Sequence, residues 1–278
     1  MYHLSLTPDQ IAHTIILVGD PDRVPLVSQH FDRIDHKVQH REFTTHTGWH
    51  KGKPLTVLST GIGTANIDIV LNELDALVNV DPQTQKPREK LTSLTLVRIG
   101  TSGSIQKTLA LDSITVSGMA VGLDSLMHFY AAENTVRELT IGDSLLEYFE
   151  QRSELLLMPY VFEADKELLK SAIAHPVFRQ GVTVTAPGFY APQGRIVRGR
   201  VEEPALLKFL TDYKSKDLKL TNIEMETAAL YGMSRLLGHR AISFSAILAN
   251  RLDNTFSENP EDAIQKTIEQ VLGWVSDL

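Results

Sequence analysis

The chain has 278 residues, a formal net charge of −7 and no cysteine. Its net negative charge disfavours binding to nucleic acid or to an anionic membrane, and the lack of cysteine excludes disulfides, thiolate nucleophiles and cysteine-based zinc sites. The N-terminus lacks the pattern of a signal peptide, and no apolar stretch approaches the roughly 20 residues needed to span a bilayer. We therefore expect a cytoplasmic protein with one domain over residues 1–278.

Four apolar segments rich in β-branched residues predict strands that lead into functional turns. They precede Gly19, Gly61, Gly100 and the pair Pro187-Gly188. Apolar residues spaced three and four apart predict one helix over roughly residues 64–80, a second with a stripe from Met225 to Leu237, and a C-terminal helix capped by Asn259. Alternating strands and helices predict an α/β fold around a parallel or mixed central sheet, with ligands at the carboxyl ends of the strands.

Residues 81–93 interrupt this alternation between a predicted helix and a predicted strand. They are polar and contain two prolines, so we expect an exposed loop. The segment has the character of an insertion.

Two of the strand ends carry an arginine beside glycine, a combination that suits a bound anion. Residues 19–23 (GDPDR) follow a strand and precede a helix, so backbone N–H groups and Arg23 can face an anion there. Residues 98–103 (RIGTSG) place Arg98 beside two hydroxyls and two glycines. The pattern alone leaves ordinary turns and a strand-end salt bridge as alternatives.

Two further segments combine groups that recognise small polar molecules. Residues 224–226 (Glu-Met-Glu) open a helix, where one carboxylate can accept from two vicinal hydroxyls while the other satisfies local donors; alternatively, both complement the helix dipole. Residues 189–195 (FYAPQGR) place an amide two residues from a guanidinium, a pair that can bind a planar imide. A surface loop with a stacked arginine is the simpler interpretation of that segment alone.

Several common active-site motifs are missing from the sequence. No third glycine completes GxGxxG after Gly61 and Gly63, and GxxxxGK[ST] is absent, which argues against dinucleotide and P-loop sites. The ten histidines show no HExxH or other metal spacing, and no GxSxG supports acyl transfer.

Taken in order, the segments HLSLT, GDPDR, HREF, STGIG, RIGTSG, FYAPQGR, NIEMET and ILANR resemble the nucleoside phosphorylase family, most closely its uridine phosphorylase branch. The match runs from about residue 3 to residue 251. The resemblance implies a three-layer α/β fold with a central mixed sheet flanked by helices. It also implies a pentosyltransferase that converts uridine and phosphate to uracil and ribose 1-phosphate, with phosphate as co-substrate and no organic cofactor.

The resemblance further implies a role for each candidate residue. Phosphate is expected to contact Gly19, Arg23, Arg98, Thr101 and, from a neighbouring subunit, Arg41. Ribose is expected to contact Met225, Glu226 and, again from the neighbour, His3. The base is expected to contact Phe189, Gln193 and Arg195. The residues expected to act in catalysis are Arg98, Arg195 and Glu226.

The choice of base follows from two features: the pair Gln193 and Arg195, which matches an imide edge better than a purine, and the residues after a late strand. Purine phosphorylases of this superfamily use an aspartate after a late strand to protonate the purine, whereas this chain has Asn250-Arg251, and an amide cannot act as that acid. Arg251 is instead expected to order Arg195 or the base loop. Uridine is therefore favoured over inosine. The alternatives are a purine or broad-specificity phosphorylase, a nucleosidase that uses water, and, least favoured, a non-catalytic nucleoside-binding paralogue.

The resemblance also bears on assembly and on metal binding. A site shared between subunits implies a homo-oligomer, a dimer at least, and bacterial relatives often form hexamers. After STGIG this chain has Thr64-Ala65-Asn66, where bacterial relatives typically have Gly-Pro-Ser. This departure weakens the case for a monovalent cation near Glu42 and Ile62, and no metal is predicted. The loop at residues 81–93 is a further feature that bears on assembly.

Overall fold

The computed structural model describes residues 1–215 and 218–278. The strands are β1 (Thr14–Val18), β2 (Arg33–His40), β3 (Phe43–His50), β4 (Lys53–Ser59), β5 (Thr95–Ser104), β6 (Ile114–Gly122), β7 (Tyr160–Glu163), β8 (Phe178–Thr185), β9 (Lys214–Ser215), β10 (Leu218–Lys219), β11 (Asn222–Glu224), β12 (Arg240–Asn250) and β13 (Thr255–Phe256). The α-helices are α1 (Arg23–Ser28), α2 (Thr64–Asn79), α3 (Val136–Glu150), α4 (Lys166–Ile173), α5 (Leu206–Asp212), α6 (Thr227–Leu237) and α7 (Pro260–Ser276).

One large mixed sheet organises the described residues. Its strands follow the order β13-β12-β6-β8-β11-β5-β1-β4-β3-β2, and β7 pairs with β6. An additional parallel pairing of β12 with β5 closes the strands β5, β12, β6, β8 and β11 into a ring. The pairings of β5 with β1 are parallel, whereas those with β11 are antiparallel. The predicted α/β fold with a central mixed sheet flanked by helices is confirmed.

Alternating residues of β1 show how the sheet divides the core. Ile15 and Leu17 pack in a cluster with the buried faces of α2 and α6. Ile16 and Val18 point to the opposite side and pack in a cluster with α1 and α7. A third cluster joins α3 and α5 to β6 and β8. The sheet is therefore covered on both faces, which accounts for its almost continuous apolar strands.

Helix α2 begins and ends within one residue of its predicted limits, and its apolar stripe is buried as expected. The polar loop at residues 81–93 is mostly exposed, as predicted, with one isolated bridge between Val80 and Pro87. No helix within residues 1–215 and 218–278 is long and apolar enough to cross a bilayer. The assignment of one domain to the whole chain stays a prediction.

Two details of the predicted helices were wrong. Asn259 occupies the N-cap position of α7, but its side chain makes no capping hydrogen bond; Pro260 is the first residue of the helix, a position that proline favours. Helix α6 begins at Thr227, so Met225 precedes it and lies half-buried, whereas Ala229 and Met233 face the core as expected.

Candidate active site

Arg98 occupies the middle of β5 and folds its guanidinium back over Gly100. The arginine is almost completely buried. A Cβ atom on Gly100 would lie 2.5 Å from Arg98 Cζ and 2.7 Å from Nη2, so only glycine leaves room for the guanidinium. The prediction that a strand ends at Gly100 was wrong, since β5 continues to Ser104. This glycine makes space for a side chain within the strand and does not break it.

Two buried carboxylates surround the Arg98 guanidinium. Glu226 accepts hydrogen bonds from Arg98 Nη2 and, at 2.7 Å, from the backbone N of Gly63 just before α2. Glu224 Oε2 lies 3.3 Å from the same Arg98 Nη2. The first turns of two helices, α2 and α6, therefore converge on one arginine.

Glu224 is held by hydrogen bonds from its own neighbourhood. It accepts from the backbone N of Glu226 at 2.9 Å, from the backbone N of Thr227 at 3.0 Å and from Thr185 Oγ1 at 2.7 Å. Thr185 ends β8, so this carboxylate ties β8 to the start of α6. Glu224 thus satisfies local donors, as one of the two interpretations of residues 224–226 predicts, and Glu226 contacts Arg98 and Gly63.

Charge interactions set the ionisation of this centre. Burial alone would lower the pKa of Arg98, but the charges of Glu226 and Glu224 outweigh it and raise that pKa. Burial raises the pKa of Glu226, and the nearby charge of Glu224 raises it further, against the opposing effect of Arg98. Arg98 thus stays a cation while two carboxylates share it.

A second arginine approaches from α1. Arg23 is the first residue of α1, and its Nη1 lies 3.5 Å from the carbonyl oxygen of Ile99 on β5. Burial, together with the positive charge of Arg98, lowers the pKa of Arg23. The two guanidinium groups therefore lie near enough to repel each other, so a bound anion would be stabilised here.

This part of the site also includes an unpaired hydrogen-bond donor and two small residues. Arg98 Nη1 is buried and has no hydrogen-bond partner among the described residues. Gly19 follows β1, and a Cβ on it would lie 3.6 Å from the carbonyl oxygen of Gly61, which follows the neighbouring strand β4. Thr101 is half-buried on β5, one residue beyond Gly100. The residues predicted to bind phosphate from this chain therefore lie on β5, directly after β1 and at the start of α1.

The three residues predicted to bind the base contact one another. Arg195 Nη1 donates to Gln193 Oε1 at 2.6 Å and to the carbonyl oxygen of Phe189 at 2.7 Å. The Arg195 guanidinium also stacks 3.7 Å above the Phe189 ring. Gln193 is buried, whereas about half of the Phe189 surface is exposed. The segment therefore presents a fixed amide and guanidinium beside an accessible ring.

Arg251 anchors this base loop to the sheet, as the sequence analysis expected. Its Nη2 donates to the carbonyl oxygen of Gln193 at 2.8 Å. Its aliphatic stem crosses Gly103 on β5, where an added Cβ would lie 3.0 Å from Arg251 Cδ. Burial and the positive charge of Arg251 lower the pKa of Arg195 to about 10.

His3 and Arg41 lie together in a second group near the N-terminus. His3 Nδ1 hydrogen-bonds to Glu73 Oε1 at 2.7 Å. Arg41 is exposed in the turn between β2 and β3, with a φ of 55°, and its Nη2 donates to the Tyr2 hydroxyl at 3.3 Å. Within the described chain these two side chains thus contact Glu73 and Tyr2, and their predicted roles at a neighbouring subunit's site stay predictions.

The role of Gly63 had only a weak signal in the sequence. Gly63, singled out as part of an incomplete glycine motif, supplies the backbone N–H that holds Glu226. Its φ of 95° is a conformation that favours glycine. A glycine just before a strongly periodic helix was the available clue.

Comparison with known proteins places this geometry in a family. A sequence model of the phosphorylase superfamily matches residues 13–276. The chain belongs to the phosphorylase superfamily. It is 30% identical to the uridine phosphorylase of Thermococcus kodakarensis over 94% of this chain and 81% of that protein. It is also 30% identical to the uridine phosphorylase of Haemophilus influenzae over 97% of this chain and 93% of that protein.

A solved structure in the superfamily superimposes closely on the chain. It is a Trypanosoma brucei nucleoside phosphorylase, described as showing uridine phosphorylase activity, with a TM-score of 0.88 and 28% sequence identity. The alignment covers 99% of this chain and 97% of that one. Membership of a nucleoside phosphorylase family close to the uridine phosphorylases is therefore confirmed, whereas the role of each site residue stays a prediction.

Proposed function

We propose that this superfamily member is a pentosyltransferase that converts uridine and inorganic phosphate to uracil and ribose 1-phosphate. The observation that carries the proposal is that β5 joins two polar centres, since it carries Arg98 and its Gly103 lies against Arg251, which donates to Gln193. One is the Arg98 centre with Arg23 and Glu226, which suits an anion and a diol; the other is the pair Gln193 and Arg195, which suits an imide. The similarity to uridine phosphorylases over nearly the whole chain supports the same reaction.

The proposed mechanism uses positioning and electrostatics, without a covalent enzyme intermediate. Arg23 and Arg98 hold phosphate below the sugar, and Glu226 accepts hydrogen bonds from the ribose 2′- and 3′-hydroxyls. A phosphate oxygen forms a bond to C1′ while the bond from C1′ to N1 of uracil breaks, and that electron pair moves into the ring. Arg195 and Gln193 then stabilise the negative charge on uracil, an interaction that strengthens in the transition state and so raises turnover.

Asn250 supports a pyrimidine base over a purine. Its side-chain Oδ1 accepts from the backbone N of Leu252 at 3.0 Å and of Asp253 at 3.3 Å. This buried amide therefore shapes the turn after β12, and its N–H protons are not acidic enough to protonate a purine. A purine or broad-specificity phosphorylase is the alternative. A nucleosidase is disfavoured because Arg23 and Arg98 form an anion site that water does not need.

The test is uracil release from uridine, with and without phosphate, beside inosine and thymidine. We expect uracil release that depends on phosphate. Release without phosphate would indicate a nucleosidase, turnover of inosine alone would contradict the Gln193 and Arg195 assignment, and no turnover would favour a non-catalytic paralogue. Arg98→Ala should abolish the uracil release that depends on phosphate. Arg137→Ala, which removes a mostly exposed arginine paired with Glu163, should leave that release intact.

We further propose a homo-oligomer, a dimer or a hexamer built from three dimers, in which Arg41 and His3 complete the neighbour's site. Mixing subunits tests this sharing. Arg41→Ala and Arg98→Ala preparations should each be nearly inactive, whereas co-refolded mixtures should regain about a quarter of wild-type activity, because half of the dimers are mixed and each has one intact site. No recovery on mixing would show that each chain builds its own site.

Cofactor use, location and pathway follow from the same proposal. Phosphate is the co-substrate, no organic cofactor takes part, and a monovalent cation near the exposed Glu42 is an open alternative that potassium titration of the rate would test. The proposed role is cytoplasmic pyrimidine salvage. Cell fractionation and growth on uridine as carbon source of a strain lacking the protein would test it.

A further inference from the structure

The two substrates proposed above need side chains that bind each other in this structure. Arg98 is assigned to phosphate and Glu226 to the ribose hydroxyls, yet Arg98 Nη2 donates to Glu226 Oε2. Both side chains are at least nine-tenths buried, so water cannot easily replace either partner. A ligand that draws either group towards itself must weaken this buried ion pair.

Each partner of this ion pair has a second interaction that remains when the pair is weakened. Arg98 keeps a second carboxylate, because Glu224 Oε2 lies 3.3 Å from Nη2. The Glu224 carboxylate is itself fixed by four hydrogen-bond donors, three at the start of α6 and one at the end of β8. Glu226 keeps the backbone N–H of Gly63 at 2.7 Å. Each partner therefore retains one interaction when the pair between them is weakened, and neither becomes an uncompensated buried charge.

We propose that the ion pair between Arg98 and Glu226 couples the two subsites, so that a tetrahedral dianion and a ribose diol bind with positive cooperativity. The first ligand weakens the pair and bears the whole cost; the second finds its group already released. The coupling is reciprocal, as linkage requires. This inference rests on the proposed function for the assignment of the two subsites, but it does not require turnover.

Sulfate allows the coupling to be measured without turnover, because it is a tetrahedral dianion but, as the conjugate base of a strong acid, a much weaker nucleophile than phosphate. Uridine binding is titrated calorimetrically in the presence and absence of saturating sulfate, with ionic strength held constant by chloride. Coupling energies between sites typically correspond to factors of about 5 to 150, and we expect the uridine Kd to fall by at least about fivefold. An unchanged Kd would overturn the proposal.

Two ligand controls assign the effect to the ribose hydroxyls in the wild-type protein. Uracil has no ribose, and 2′,3′-dideoxyuridine lacks both hydroxyls, so sulfate should leave their Kd values unchanged. An equal gain for either ligand would show that sulfate acts through the base loop or through the whole fold, and would contradict a role for Glu226.

A matched pair of variants tests the carboxylate itself. Glu226→Gln should bring the sulfate effect on uridine close to onefold, whereas Glu163→Gln, which removes the charge of a carboxylate paired with Arg137, should retain the wild-type effect. Persistence of the coupling in Glu226→Gln would refute the proposal. Failure of the proposed function is distinguishable, since it appears as absent uracil release with phosphate, whatever the calorimetry shows.

Discussion

Replacing Gly100 by alanine tests whether the guanidinium of Arg98 is positioned by the absence of a side chain beneath it. The added Cβ would lie 2.5 Å from Arg98 Cζ, whereas ordinary contact begins at 3.4 Å. The guanidinium must therefore move by at least about 0.9 Å, since Nη1 lies closer still, and it cannot move into solvent because only 5% of the side chain is exposed.

We expect Gly100→Ala to impair the use of phosphate more than the binding of uridine. A displacement near 1 Å at a positioned group lowers rates by about 100-fold, and the loss of one hydrogen bond to a charged group costs about 1.5 to 3 kcal/mol. We therefore expect kcat/KM for phosphate to fall about 100-fold in Gly100→Ala, with a smaller change in the Kd of uridine.

Initial rates of uracil release at varied phosphate measure this effect, and thermal unfolding shows whether the fold is retained. Gly273→Ala is the matched control, because an added Cβ on this residue of α7 meets nothing within 4 Å. Wild-type phosphate kinetics in a folded Gly100→Ala variant would refute the argument that this glycine positions Arg98.

Three other predictions concern charge and buried hydrogen bonds. The rate of uracil release should fall as the pH rises through about 10, because Arg195, whose pKa burial and Arg251 lower to that value, then loses its charge; the same decline in Arg195→Gln would contradict this origin. For Glu138, burial alone would raise the pKa, but hydrogen bonds from Arg235 and two backbone N–H groups outweigh it and lower that pKa below its ordinary value of 4.5. The ionised carboxylate thus stabilises the fold at a pH above 4.5, and this effect is lost as the pH falls through the lowered pKa of the folded protein. Urea unfolding should therefore show Glu138→Gln less stable than wild type by about 2 kcal/mol at pH 7 and closer to wild type in acid. A difference that does not change with pH would argue against ionisation as the cause. Tyr231→Phe removes a hydroxyl that donates to the carbonyl oxygen of Ser117 at 2.6 Å and accepts from the backbone N of Ser243 at 3.0 Å. Thermal unfolding should therefore report a loss of stability of about 1 to 3 kcal/mol, with phosphorolysis retained. An unchanged melting temperature would show that these backbone groups find other partners.

Most of what could be predicted from the sequence came from the periodicity of apolar residues and from the order of the motifs along the chain. The apolar stripe of α2 sets its limits, because each buried position repeats every three or four residues over the whole helix. The strand before Gly19 was equally clear, since β1 is apolar on both faces. The segments that hold Arg98, Glu226 and the base loop were each ambiguous alone, and only their order along the chain pointed to one family.

The remaining features depend on contacts between residues distant in the sequence. Gly100 resembled a turn, because a glycine that makes room for an arginine inside a strand has the same local signature as one that ends it. Closure of five strands into a ring depends on the parallel pairing of Arg240–Asn250 with Thr95–Ser104, about 145 residues apart, which no local pattern reports. The hydrogen bond from Gly63 to Glu226 spans 163 residues for the same reason.

The outermost strand β2 bears on how the protein avoids unwanted association. An unpaired strand edge is a template for adding another chain, and β2 ends the strand order on its side of the sheet. Its exposed positions include Arg33, Asp35 and Lys37, and its register with β3 is interrupted between Ile34 and His36. Alternating charges and a local irregularity both disfavour a flat, extended docking strand. The protein should therefore resist fibrillar aggregation through this edge, even at high concentration.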